Sequence, residues 1–220
     1  MKTAILASED RWQAWQRRTG DNNVFARVQN SQSAAEYDVF IDLNFDEHPE
    51  NIQNYSGNRH TLFLLSSVCF TPEMALFQAG LQYKQELFFG INAIPGFLER
   101  NILEITNPFN LNTDNFKDHP NLPFEGYEWV KSRIGMVTPR IVFMIINEAY
   151  YTVQEGTADE ADIDTAMKLG TAYPHGPFEW LKIAGINNVY KTLLALWTDT
   201  GEERYKICPL LKSAYTQSNI

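Results

Sequence analysis

Apolar positions in the first hundred residues fall in short runs separated by polar segments. KTAILA (Lys2–Ala7), NVFARV (Asn23–Val28), YDVFIDLNF (Tyr37–Phe45), TLFLLSSV (Thr61–Val68) and ELFFGINAI (Glu86–Ile94) each predict a strand. The fourth is almost continuously apolar, the pattern of a strand buried on both faces of a parallel sheet. After the first strand, Ser8 is placed to cap a helix whose first turn carries Glu9 and Asp10, the charge a helix N-terminus favours. Trp12 and Trp15 then share a face. Strands alternating with helical or irregular segments predict an α/β layer with a largely parallel sheet.

The pattern breaks at NPFNLNTDNFKDHPNLPFEG (Asn107–Gly126), which is rich in Asn and Pro and has no period, and reads as a connection. Beyond it the period becomes helical. Ile141, Val142, Ile145, Ile146, Ala149 and Val153 mark one long helix, which Gly156 ends. Asp159 is placed to cap a second helix in which Ile163, Ala166 and Met167 share a face, and Gly170 is expected to close it. Pro177 opens a third and Gly185 stops it. NNVYKTLLALWTDTG is amphipathic, and a last helix is expected to carry Tyr205 and then Pro209. The domain expectation is therefore an α/β layer over 1–106, a connection over 107–124 and an all-helical domain over 125–220.

A net charge of −9 with basic residues scattered singly or in pairs leaves no basic stripe for nucleic acid. The longest apolar run of helical character, IVFMII (Ile141–Ile146), is far short of a membrane span, and the start of the chain predicts no signal peptide. Cys69 and Cys208 lie far apart in apolar contexts without metal spacing. They predict free thiols, a reducing, cytoplasmic compartment and no bound metal.

One charge stands out. In FFGINAIPGFLERNILEI (Phe88–Ile105) Glu104 sits between Leu103 and Ile105, and a charge in an apolar run is costly without a partner. The wet face of an edge strand or a structural ion pair would account for it, and so would a role in chemistry. His48, His60, His119 and His175 read as surface or turn residues, with His119 the best placed of them to reach a cleft. Tyr127 and Tyr173 are further polar candidates. Asn147 and Glu148 interrupt the apolar face of the long helix and call for a structural partner.

From Gly135 onward the chain resembles the C-terminal domain of the 3-hydroxyacyl-CoA dehydrogenase family. The resemblance rests on GMVTPRIVFMIINEAYYTVQEGTADEADIDTAMKLGTAYPHGPFEW, in which NEA (Asn147–Ala149), EG, DIDTAMKLG and P-x-GPFE keep the family's order and spacing. It implies a Rossmann domain that binds NAD, followed by a helical domain that closes over the acyl-CoA and commonly makes a dimer. The implied reaction, part of fatty-acid or butanoate metabolism, oxidises the 3-hydroxyl of an acyl-CoA, with hydride passing to NAD. In the family a histidine takes the hydroxyl proton and a glutamate orients that histidine.

Carried over residue by residue, Glu104 falls on the orienting glutamate and Asn92 on the catalytic histidine. Ser66 falls on the serine that touches substrate and histidine. Arg140 is what remains of the family's NR pair, whose asparagine is Pro139 here, and an asparagine of the loop after the histidine is Pro95. Arg140 and Lys168 are candidates for a CoA phosphate, or else for ion pairs. An asparagine amide cannot take a proton near neutral pH. The glycine-rich phosphate loop is absent: the first strand runs into ASEDRWQAW, and the first glycine is Gly20. No acidic residue follows NVFARV to hold the ribose hydroxyls. The resemblance thus implies a reduced Rossmann-like layer, shorter than the family's, before the helical domain. Two readings stay open: a divergent NAD-dependent dehydrogenase, and a non-catalytic relative that binds acyl-CoA or dimerises through its helical domain after losing the NAD site and the histidine.

Overall fold

The five apolar runs of the first hundred residues form strands, and the glutamate-bearing segment forms a sixth. These are β1 (Thr3–Leu6), β2 (Phe25–Val28), β3 (Val39–Asp42), β4 (Leu62–Ser66), β5 (Leu87–Ile91) and β6 (Ile102–Thr106). The structure, a computed structural model, describes residues 2–20, 25–113, 116 and 126–220. The chain divides into two units, Met1–Met136 and Val137–Ile220.

In the first unit the strands stand in the order β2-β1-β3-β4-β5-β6-β7, where β7 is Gly126–Val130. All neighbours run parallel except β5 and β6, which are antiparallel. Helix α1 (Glu9–Thr19) brings Ala14 and Trp15 onto one face, over Ile5, Ile41, Leu64, Ile91 and Ile105. The short helices α2 (Ile52–Tyr55) and α3 (Pro72–Gln78) bring Ile52, Tyr55, Ala75 and Leu76 onto the other, against Phe40, Phe63 and Phe88. Both faces of the sheet are covered, which is why its central strands carry no polar alternation. Ser8 does take the N-cap position of α1, but its side chain makes no cap bond.

β7 corrects the expected boundary. Patterning placed residues 125–136 with the helices, whereas GYEWV completes the sheet at its edge beside β6. An edge strand is half wet, so its glutamate and partial exposure gave no strand period. Its aromatic residues hold it: the Tyr127 and Trp129 rings lie 5.3 and 5.0 Å from Phe116.

The second unit is all helical: α4 (Thr138–Gln154), α5 (Glu160–Thr171), α6 (Pro177–Ala184), α7 (Ile186–Thr200) and α8 (Pro209–Gln217). Its core includes Phe143, Ile146, Phe178, Val189, Leu193, Leu196, Tyr205 and Leu211. Asp159 caps α5 as expected, its carboxylate accepting the Asp162 N–H at 2.9 Å. Two local expectations fail. α5 runs past Gly170, and the left-handed residue is Ala172 at φ 54°. Pro174 bars Tyr173 from helical backbone, which fixes the stop just before it. Tyr205 lies in a separate 3₁₀ turn, Glu203–Tyr205, and not in the last helix.

Candidate functional site

Antiparallel pairing of β5 with β6 sets Gly90 opposite Thr106 and Ile91 opposite Ile105. The next pair in register is Asn92 and Glu104, joined by the Asn92 N–H donating to the Glu104 carbonyl at 3.2 Å. The two residues singled out from sequence therefore stand side by side. Leu103 and Ile105 point into the core, so the pleat turns Glu104 to the other face, where it is half-buried. That resolves its cost: the charge never enters the core. Asn92 is 2% exposed, and its Oδ1 accepts the Ile94 N–H at 3.4 Å, starting the turn into Pro95. On the other side of Glu104 the register places Glu128 of β7, a like charge that the sequence reading did not weigh.

Gly90 lets this corner close. A Cβ there would lie 2.4 Å from the Thr106 Oγ1 and 2.7 Å from the Ser67 Cβ. The Thr106 hydroxyl is buried and has no hydrogen-bond partner among the described residues.

Ser66 does not join the pair. It stands level with Ile91, one residue before Asn92, so on a pleated sheet the two side chains leave on opposite faces. The Ser66 hydroxyl donates to Asp46 Oδ2 at 2.6 Å and accepts from Arg11 Nη1 at 3.3 Å. Ser67 is the serine beside the site; its N–H donates to the Ile91 carbonyl at 3.0 Å. The expectation for Ser66 came from the family resemblance; here its hydroxyl is engaged by Asp46 and Arg11 on the other face of the sheet.

The partners of Ser66 belong to a buried network at the carboxyl ends of β1, β3 and β4. Asp46 accepts from the Val68, Cys69 and Phe70 N–H groups at 3.0, 2.6 and 3.0 Å, in addition to Ser66. Burial pushes its carboxyl up to about 6, against the attraction of Arg11 and the Ser66 hydrogen bond. Arg11 is 4% exposed and pairs with Glu47 at 2.5 Å. Asp42, also buried, accepts from the Tyr55 hydroxyl at 2.7 Å and Asn51 Nδ2 at 3.0 Å; burial raises its pKa against these bonds. Arg11 and Asp46 were both missed from sequence. The available signal was a cation four residues before Trp15, on the helix face that faces inward.

The motif residues of the second unit are largely structural. Asp164 of α5 is buried and accepts the Phe178 and Glu179 N–H groups at 2.8 and 3.2 Å, capping α6 from another helix. A Cβ on Gly176 would lie 2.2 Å from that carboxylate, so only glycine fits. Glu179 accepts the Gly176 N–H at 3.0 Å and pairs with Lys168, which is thereby tied into the corner. The motif DIDTAMKLG…HGPFE thus encodes a helix–helix corner. Asn147 uses both ends of its amide on the segment before α8: it donates to the Lys206 carbonyl and accepts the Cys208 N–H, each at 2.9 Å. Arg140 donates to the Tyr205 hydroxyl at 2.7 Å.

Of the histidines, His48 pairs with Glu50 at 3.0 Å, His60 is exposed, and His175 lies 3.9 Å from Glu179 and edge-on to Trp180. His119 lies outside the described residues. Tyr127 belongs to the aromatic cluster of β7. Cys69 and Cys208 are both free thiols. Among the described residues no group of three or more potential metal ligands occurs, and no helix is long and apolar enough to cross a membrane.

A seven-stranded, largely parallel sheet, followed by helices locked at the Asp164–Gly176 corner, defines a two-unit protein with a Rossmann-like first unit and an all-helical second. Comparison with known proteins agrees. Residues 135–219 match the family model for the 3-hydroxyacyl-CoA dehydrogenase, C-terminal domain. This unit is thus similar to the helical domain of the 3-hydroxyacyl-CoA dehydrogenases. The 3-hydroxyadipyl-CoA dehydrogenase of Escherichia coli (strain K12) is 49% identical over 78 residues, 36% of this chain and 16% of that protein. A probable 3-hydroxybutyryl-CoA dehydrogenase of Bacillus subtilis (strain 168) is 37% identical over 78 residues, 36% of this chain and 27% of that protein. These alignments span about a quarter or less of the relatives' own length. In fold, the (S)-3-hydroxybutyryl-CoA dehydrogenase from Ralstonia eutropha superposes with a TM-score of 0.69 at 14% identity, covering 99% of this chain and 94% of that one. The 3-hydroxybutyryl-CoA dehydrogenase from E. coli K12 gives 0.58 at 27% identity, covering 71% of this chain and 32% of that one.

Proposed function

We propose that the chain is a divergent 3-hydroxyacyl-CoA dehydrogenase-like protein of fatty-acid or butanoate metabolism whose ligand is an acyl-CoA. The observation that supports the ligand class is the match of residues 135–219 to the family's helical domain. In this reading Glu104 and Asn92 stand where the family has its orienting glutamate and its base. The asparagine amide keeps hydrogen-bonding capacity at that position but has no proton acceptor of suitable basicity. The protein then holds a 3-hydroxy- or 3-oxoacyl thioester without carrying out its own oxidation.

The retained cross-strand placement of Asn92 and Glu104 favours this over a wholly unrelated use of the fold. Arg140 is proposed as a contact for the ligand, shared with its bond to Tyr205. A homodimer through the helical unit forms part of the proposal: Ile141, Leu169, Leu194 and Trp197 are 53, 84, 38 and 44% exposed, a large apolar surface for a small unit.

The test is a calorimetric titration with acetoacetyl-CoA beside an assay of its NADH-dependent reduction. Saturable binding without turnover is expected. Turnover at neutral pH would restore the alternative of an active dehydrogenase with another base, for which His119→Ala is the first variant to assay. Absence of acyl-CoA binding would refute the ligand class.

A further inference from the structure

The sheet order turns back between β1 and β3: the chain leaves β1 for β2 on one side and returns to β3 on the other. In open α/β sheets of this kind, a dinucleotide lies in the crevice outside the carboxyl ends of those strands. Its pyrophosphate sits on the N-terminus of the helix that follows β1. The residues here do not fit that use.

We infer that this crevice is closed by the chain's own side chains, so that the protein takes no dinucleotide there. The segment after β3 reaches across to α1 at two points. Asn44 Oδ1 accepts the Ser8 N–H at 2.9 Å, the donor at the head of α1 that a phosphate would use. Glu47 holds Arg11 of α1 at 2.5 Å. Between them Asp46 is buried on the Val68–Phe70 amides, so a protein carboxylate fills the anion position offered by the loop after β4. The outer side is also taken. Arg27 of β2 pairs with Glu9 at 2.9 Å and donates to the Ala7 carbonyl at 3.3 Å. With Glu9 offset by Arg27, Asp10 still presents negative charge to any phosphate that approached the helix. No glycine occurs between Leu6 and Thr19 to let a pyrophosphate near the backbone.

The inference stands apart from the acyl-CoA reading. Its test is a calorimetric titration of the full chain with NADH and with NAD⁺, repeated on Ser8→Trp, an exposed position at the mouth of the crevice. The expected result is no saturable binding up to about 1 mM. Saturable binding that Ser8→Trp abolishes overturns the inference; binding that survives Ser8→Trp lies outside the crevice and leaves it standing. Melting of the ligand-free protein gives a second readout. Asn44→Ala and Glu47→Ala should each lower the melting temperature, because each removes a contact that closes the crevice. An unchanged melting temperature in both variants also overturns it. Failure of acetoacetyl-CoA to bind in the same cell counts against the proposed ligand and has no bearing on the crevice.

Discussion

Asp46→Asn separates the buried network from every other acid in the chain. The folded carboxyl titrates at about 6 against 3.8 for an ordinary aspartate. The native state therefore binds the extra proton between those values. A raised folded pKa means that the stability Asp46 contributes is fully present at low pH and is lost as pH rises through about 6. The shift, 6 minus 3.8, is about 2 pH units, or about 3 kcal/mol at 1.36 kcal/mol per unit. Integrated over the two titrations, about 2 kcal/mol of this falls between pH 4.5 and 7. Asparagine cannot titrate, so the variant lacks this slope and keeps those of Asp42, Glu9 and Glu179. It also turns an amide NH₂ towards donors, a pH-independent loss of about 1–3 kcal/mol. The assay is urea unfolding of both proteins across that pH range. Wild-type stability minus variant stability should fall by about 2 kcal/mol as pH rises from 4.5 to 7. A flat or rising difference would refute the reasoning, because it would mean that the hydrogen bonds to Asp46 outweigh its burial.

Other outcomes follow from the same contacts. Asp164→Ala should cost about 2–3 kcal/mol in urea unfolding, since the buried Phe178 N–H loses its acceptor; no loss would remove Asp164 as the cap of α6. Gly90→Ala should cost about 1–3 kcal/mol by overpacking against Thr106 and Ser67, read as a lowered urea midpoint, and a neutral result would show that the corner is loose. Asn147→Leu should destabilise by about 2–4 kcal/mol through the orphaned Cys208 N–H and Lys206 carbonyl, with amide exchange at Cys208 as the local check. Light scattering at micromolar concentration should give twice the chain mass, and a monomer would count against the proposed dimer. Asn92→His alone should produce no NADH-dependent reduction of acetoacetyl-CoA, because a base without hydride transfer completes no reaction; turnover in that variant would show that cofactor binds.

Local chemistry was legible in the sequence wherever one segment decides its own conformation. Apolar runs gave β1 to β5, proline and glycine gave the ends of α6, and Asp159 gave the start of α5, because strands, caps and turns are set by neighbours in the chain. The motif spacing from Gly135 onward gave the resemblance to the family's helical domain for the same reason: the Asp164–Gly176–Glu179 corner closes within sixteen residues. Even the Asn92–Glu104 pair was within reach, since one hairpin-like connection brings the two strands together. What only the tertiary structure decided depends on segments far apart in sequence. β7 is half wet and gains its strand partner from β6 across the connection, so no period marked it. The face on which Ser66 lies follows from pleat and register, where one residue reverses the side. Arg11, Glu47, Asp46 and Ser66 are separated by up to 55 positions and become a single buried network only when α1, β3 and β4 converge at the carboxyl end of the sheet. A buried charge is stable only beside its partner, and the sequence names both charges without saying that they meet.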